Sequence, residues 1–220
     1  LDEYSLESHR KAIVAQDEGR FEREIVPIEV TLPDGTKKTI KQDEGPRRNS
    51  SLEALAGLKP SFQDDGKIHA GNSSQISDGA SALLLMSREK AEELGLKPRF
   101  RVLARSVVGS DPTLMLTGPI PATMKVLEKA GLTIDDIDIF EVNEAFAPVP
   151  LAWLSEVGAD PAKLNPNGGA IALGHPLGAS GGRLMVTMAY ELERTGARYG
   201  LQTMCEGHGM ANATIIERLD

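Results

Sequence analysis

Gly168-Gly169-Ala170-Ile171-Ala172-Leu173-Gly174-His175-Pro176-Leu177-Gly178-Ala179-Ser180-Gly181-Gly182-Arg183 sets one histidine among glycines, and an amphipathic stretch over residues 184–194 follows at once. Glycine lets a backbone turn sharply and come close to a ligand, and apolar residues at helical spacing after it predict a loop that feeds a helix. Dense glycine alone marks turns and tight packing just as readily. Two further stretches bear on the choice. Downstream, Cys205-Glu206-Gly207-His208-Gly209-Met210 is a turn-like segment between two strand-like runs; upstream, Asn143-Glu144-Ala145-Phe146-Ala147 closes an apolar run.

Working outward, residues 1–17 carry spaced apolar positions and stop near Gly19, as a helix does. Residues 24–32 and 36–41 flank Pro33-Asp34-Gly35 and predict a hairpin. Residues 42–49 read as a loop, and Ser50 or Ser51 caps a short helix that ends before Pro60. Residues 70–79 are rich in hydrogen-bonding groups. Residues 81–86 are apolar enough for a buried strand, and Ser87 caps a helix ended by Gly95. Further on, strands are predicted over 99–109, 138–142, 199–205 and 213–218, and helices over 119–130, 146–157 and 184–194. Helices and strands interleave without repeats or low-complexity linkers, which predicts an α/β fold.

Composition bounds the chemistry. The chain has 220 residues, 40% hydrophobic and 25% charged, and can bury a substantial core. No apolar run approaches the roughly 20 residues that span a bilayer. A net charge of -8 argues against broad attraction to nucleic acid or anionic membranes. One cysteine, Cys205, excludes an intrachain disulfide and fits a reducing, cytoplasmic setting. No phosphate-binding or dinucleotide glycine pattern and no Cys/His cluster at metal spacing is present, so neither metal nor cofactor is expected.

Asn-Glu-Ala-Phe, Gly-His-Pro-Leu-Gly-Ala-Ser-Gly and Cys-Glu-Gly-x-Gly, in this order and spacing, closely resemble the carboxyl-terminal half of a thiolase. Thiolases are layered α/β proteins about twice this length. The resemblance divides the chain into the end of a loop domain (1–70), the last segment of the amino-terminal core domain (71–95) and the carboxyl-terminal domain (96–220). It implies transfer of an acyl group between a 3-ketoacyl-CoA and CoA, with release of acetyl-CoA in fatty-acid or related degradation. Asp43–Arg47 and Asn72–Gln75 resemble degradative more than acetoacetyl-forming members.

The resemblance also assigns roles. His175 would activate a nucleophilic cysteine, and its second nitrogen, with a water positioned by Asn143, would form one oxyanion site. Cys205 would be the general acid/base, with its thiol suited to that task if the site lowers its pKa modestly. The backbone N–H of Gly207 would hold the thioester oxyanion. Ser74 would lie along the pantetheine of CoA, Arg47 near its nucleotide end, and Phe146 at the acyl end of the pocket. His9 and His69 lack such a setting and read as surface or structural residues.

Two features depart from the family. His208 interrupts the glycines after Cys205, where it must tolerate a backbone geometry open to glycine. The chain also holds no second cysteine, which implies that the nucleophile lies in an amino-terminal half, on the same or a separate chain. The complete unit would form a homodimer or homotetramer. A biosynthetic acetoacetyl-CoA thiolase, a non-catalytic acyl-CoA-binding subunit and a cysteine hydrolase with Cys205 as nucleophile are the alternatives.

Overall fold

The computed structural model describes residues 1–219. Helix α1 (Asp2–Asp17) is followed by the hairpin β1 (Ile28–Thr31) and β2 (Lys37–Ile40), then the short helices α2 (Leu52–Ala56) and α3 (Arg88–Glu93). The main body comprises β3 (Phe100–Gly109), α4 (Pro119–Ala130), β4 (Ile139–Val142), α5 (Pro148–Val157), α6 (Ala170–Leu173), α7 (Ser180–Thr195), β5 (Tyr199–Glu206) and β6 (Met210–Arg218).

The four strands of the body lie in the order β3-β6-β5-β4. β4 and β5 are parallel, with Val142 opposite Thr203, while β6 runs antiparallel to both of its neighbours. A bridge from Phe140 to Leu164 extends the pairing beyond β4. Alternation along β4 sends Phe140 and Val142 into one core with α4 and α5, where Phe140 meets Trp153 edge-on at 5.1 Å. It sends Ile139 into a second core, with Met188 and Leu192 of α7. Both faces of the sheet are thus covered by helices, which explains why all four residues of β4 are buried, Glu141 among them. The predicted layered α/β architecture is the one observed.

The helix ends follow local chemistry. Ser51 and Ser87 each accept an N–H from the first turn of their helices, and Gly131, Gly158 and Gly196 end α4, α5 and α7 in the left-handed conformation.

One predicted element is absent. Residues 81–86 form no strand, and Leu84 and Leu85 are 80% and 73% exposed. A strand exists through its ladder, and among the described residues no strand lies beside this segment.

Candidate active site

The parallel strands β4 and β5 end side by side, and the chain leaves them at Asn143 and at Cys205-Glu206. The Asn143 N–H donates to Thr203 O at 3.1 Å, which fixes the two strand ends relative to each other. The glycine-rich segment crosses over these ends and turns into α7, whose Gly181 faces Met204 and Gln202 of β5. The carboxyl ends of parallel strands are where open α/β sheets leave room for ligands.

His175 is held at three points. Its N–H donates to Gln75 O at 2.9 Å. Its Nδ1 lies 2.6 Å from Ser180 Oγ, and its Nε2 lies 3.3 Å from Asn143 Nδ2. Donor accounting fixes the tautomer. Pro176 O can only accept, so Ser180 Oγ, 3.0 Å away, donates to it and accepts Nδ1–H in turn. The lone pair then sits on Nε2 and takes an N–H from Asn143. Burial, reinforced by the positive charge of Arg183, holds His175 below the usual imidazole range. Neutral imidazole whose Nε2 carries the lone pair is a base.

Nδ1 is committed to Ser180, so Nε2 is the ring nitrogen that faces Asn143, whereas the resemblance assigns one task to each nitrogen. Ser180 escaped sequence reasoning except as a letter in a motif; the available signal was a hydroxyl five residues beyond His175, at the start of a helix. Ser180→Ala removes the acceptor that selects the tautomer, and we expect turnover to fall about 10- to 100-fold with an altered acid limb in the pH profile, checked by steady-state rates between pH 5 and 9.

Asn143 is 1% exposed, and its Oδ1 has no partner among the described residues. The next residue, Glu144, is equally buried and accepts four donors: Tyr4 hydroxyl at 2.8 Å, Ser8 hydroxyl at 2.7 Å, Asn165 Nδ2 at 3.1 Å and the Ile171 N–H at 3.1 Å. Glu144 thus ties α1 to the end of β4 and to the glycine-rich segment. Its carboxylate is also why residue 169 is glycine, since a Cβ there would lie within 2.5 Å of both of its oxygens.

Cys205 is partly exposed at the end of β5, paired with Ala211 of β6. Burial pushes its thiol up to about 11, with Glu206 adding to the rise. This is opposite to the lowering expected from its role, and it leaves the thiol, not the thiolate, as the form present at neutral pH. The turn after it runs through Gly207, exposed with open space around its Cα, and His208, whose φ of 63° and ψ of 29° are left-handed. An L-residue there carries strain of about 1–2 kcal/mol. His208→Gly should raise stability by about 0.5–1 kcal/mol, after the entropic cost of glycine, as read by denaturant unfolding.

Other predicted residues gather less tightly. Ser74 donates its N–H to Ala145 O at 3.0 Å, and Ser73 bridges Phe146, so residues 72–74 run beside the segment that follows Asn143. Phe146 is half-buried and meets the exposed Phe62 edge-on at 5.8 Å. Arg47 stands exposed on a loop, and its N–H donates to His9 Nδ1 at 3.1 Å. His9 and His69 are both buried and structural: His69 caps the turn at Ala70–Asn72, and its Nε2 lies 3.1 Å from Asp2.

Comparison with known proteins agrees on one family. The family model "Thiolase, C-terminal domain" matches residues 96–218, and "Thiolase, N-terminal domain" matches residues 1–89. The chain is 58% identical to a steroid 3-ketoacyl-CoA thiolase of Mycobacterium tuberculosis, covering 100% of this chain and 52% of that protein. It is 49% identical to the human peroxisomal 3-ketoacyl-CoA thiolase, covering 98% and 52%. Among solved structures, an acetyl-CoA acetyltransferase of Bacillus anthracis superposes with a TM-score of 0.95 at 44% identity, covering 99% of this chain and 55% of that one. The human mitochondrial 3-ketoacyl-CoA thiolase does so with a TM-score of 0.93 at 41% identity, covering 99% and 55%. The chain spans about half the length of the relatives it matches.

Proposed function

The chain belongs to the thiolase family, and on that premise we propose that the protein of which it is part cleaves 3-ketoacyl-CoA with CoA, releasing acetyl-CoA and a shortened acyl-CoA. The observation that carries this reading is the His175 Nε2 lone pair, fixed by Ser180 and facing Asn143, at strand ends that also hold the Cys205 thiol. A binding module has no use for such an acid/base set.

In this mechanism a cysteine thiol outside the present chain gives its proton to His175 Nε2 and attacks the 3-keto carbon. The bond between C2 and C3 breaks, and the electron pair leaves on C2 as the acetyl-CoA enolate. Cys205 protonates that carbon and becomes a thiolate. Free CoA then attacks the acyl-enzyme as its thiol proton passes to Cys205; the acyl group leaves on CoA, and the expelled cysteine thiolate takes back the proton from His175 Nε2, which restores both cysteines and the histidine. Asn143, with His175 Nε2, stabilises the enolate oxygen through a water, and the Gly207 N–H serves the acyl-enzyme oxyanion. Ser74 and Arg47 contact CoA, and Phe146 lines the acyl end.

The degradative direction is supported by the higher identity to the steroid 3-ketoacyl-CoA thiolase, 58%, than to the acetyl-CoA acetyltransferase of Allochromatium vinosum, 47%. The reading includes a division at residues 70 and 95; the start of the carboxyl-terminal family match at residue 96 supports the second of these. The reading includes a homo-oligomer, a dimer or tetramer. It also includes a cytoplasmic setting, in keeping with one unpaired thiol; among the described residues no helix is long and apolar enough to cross a membrane.

Denaturing intact-mass spectrometry of the purified protein comes first, and polypeptide beyond the 23.6 kDa of this chain is the expected result. CoA-dependent loss of a 3-ketoacyl-CoA with release of acetyl-CoA then supports the proposal. Hydrolysis without free CoA would instead make Cys205 a hydrolase nucleophile, and binding without turnover would make the protein an acyl-CoA-binding subunit.

A further inference from the structure

Gln75 stands where three stretches meet. Its main chain holds the His175 segment twice, donating its N–H to Ala170 O at 3.4 Å and accepting the His175 N–H at 2.9 Å. Its side-chain Nε2 lies 2.9 Å from Ile171 O, 3.0 Å from Ala172 O and 3.1 Å from Gly45 O.

The need for this amide follows from α6. The last carbonyls of a helix lack intrahelical partners, and here the chain cannot supply them: the His175 N–H goes to Gln75 O, and Pro176 has no N–H to reach back to Ala172. A primary amide has two N–H donors and shares them among the three carbonyls. The opposite side is shaped to match, because a Cβ on Gly45 would run into Ala172 O.

Helix α1 holds the same loop from behind. Gln16 Nε2 donates to Asp43 O at 2.9 Å, His9 accepts the Arg47 N–H, and Arg48 pairs with Asp17 at 2.6 Å. The loop carrying Arg47 is therefore pinned to α1 on one side, and Gln75 pins it to the His175 segment on the other.

We propose that Gln75 is a positioning residue that fastens loop 43–47 to the His175-bearing segment and thereby acts on CoA binding rather than on turnover. The inference rests on the reading of Arg47 and Ser74 as CoA contacts. Turnover is spared because the His175 N–H is held by the Gln75 main-chain carbonyl, which any substitution retains, and the imidazole by Ser180 and Asn143. What a substitution removes is the clamp on the loop and the donors to Ile171 O and Ala172 O, while the contacts that set the imidazole remain.

The test uses the complete protein with Gln75→Met, similar in length but without N–H donors, and Gln75→Glu, which sets a carboxylate against the same carbonyls. Amide hydrogen exchange over residues 43–47 should quicken about tenfold in both. The KM for CoA should rise about tenfold while kcat stays within about threefold, a loss comparable to one or two hydrogen bonds. Unchanged exchange overturns the proposal, and so does faster exchange with an unchanged KM for CoA. The exchange measurement needs no turnover. A wild-type protein without CoA-dependent cleavage would therefore count against the proposed function, while exchange would still decide the fastening of the loop.

Discussion

Cys205→Ser is expected to lower CoA-dependent cleavage of a 3-ketoacyl-CoA by about 10³-fold, the middle of the range for losing a positioned general acid or base. The reasoning begins at the end of β5, where burial lifts the thiol to about 11. At neutral pH the group is therefore protonated, the state required of an acid that delivers a proton to C2 of the departing enolate. A serine hydroxyl is a far weaker acid, and the step slows without the fold being disturbed, since the two side chains are near-isosteric.

The pH dependence carries signs that can be checked. His175, held below 6.5 by burial and Arg183, must be neutral to act, so kcat/KM should rise as pH climbs through that lowered value. Cys205 must be protonated to deliver its proton, so the rate should fall only as pH approaches about 11. The variant should keep the acid limb and lose the alkaline one. Exchange of the acetyl-CoA α-proton in deuterated water should fall in parallel with cleavage. Full retention of that exchange in Cys205→Ser would remove Cys205 from the proton transfer.

How much of this could be read in the sequence depended on the range of each interaction. The turn at Pro33-Asp34-Gly35, the serine caps and the helix-ending glycines are local, and each was legible from a few neighbouring letters. Residues 81–86 differ from the sequence expectation because apolar content alone does not make a strand; hydrogen-bonding partners do, and the described residues supply none there. The contact between Asn143 and His175 spans 32 residues and was reachable only through the resemblance of motifs. Glu144 lay in plain view beside Asn143, yet two of its donors, Tyr4 and Ser8, are 140 and 136 residues away. Their spacing of four on α1 signals a shared face, but not what that face meets. The rise of the Cys205 thiol, opposite to expectation, is likewise a matter of burial, which a local motif does not report.

Gly169→Ala should be a severely damaging methyl group in the glycine-rich segment, although it adds no more than one carbon. The backbone conformation is not the obstacle, because Gly169 has φ -138° and ψ -161°, open to any residue. Space is the obstacle. The added Cβ would lie within 2.5 Å of both Glu144 carboxylate oxygens, and Glu144 is 1% exposed and held by four donors from α1, Asn165 and Ile171. Moving the carboxylate breaks hydrogen bonds worth about 1.5–3 kcal/mol each when the acceptor is charged, and moving residue 169 displaces the segment that carries His175. Either path adds to the usual cost of about 1–3 kcal/mol for overpacking, so a loss of at least about 4 kcal/mol is expected, seen as a Tm lowered by about 10 °C. Space and hydrogen bonding separate in a double-mutant cycle with Glu144→Ala. That substitution alone takes the acceptor from four donors, of which Asn165 Nδ2 keeps Val142 O, and is itself costly, but it clears the volume the new methyl needs. The double variant should therefore lose less stability than the sum of the two single ones, by about 2 kcal/mol or more. Additive losses would mean that Gly169 answers to something other than the Glu144 carboxylate.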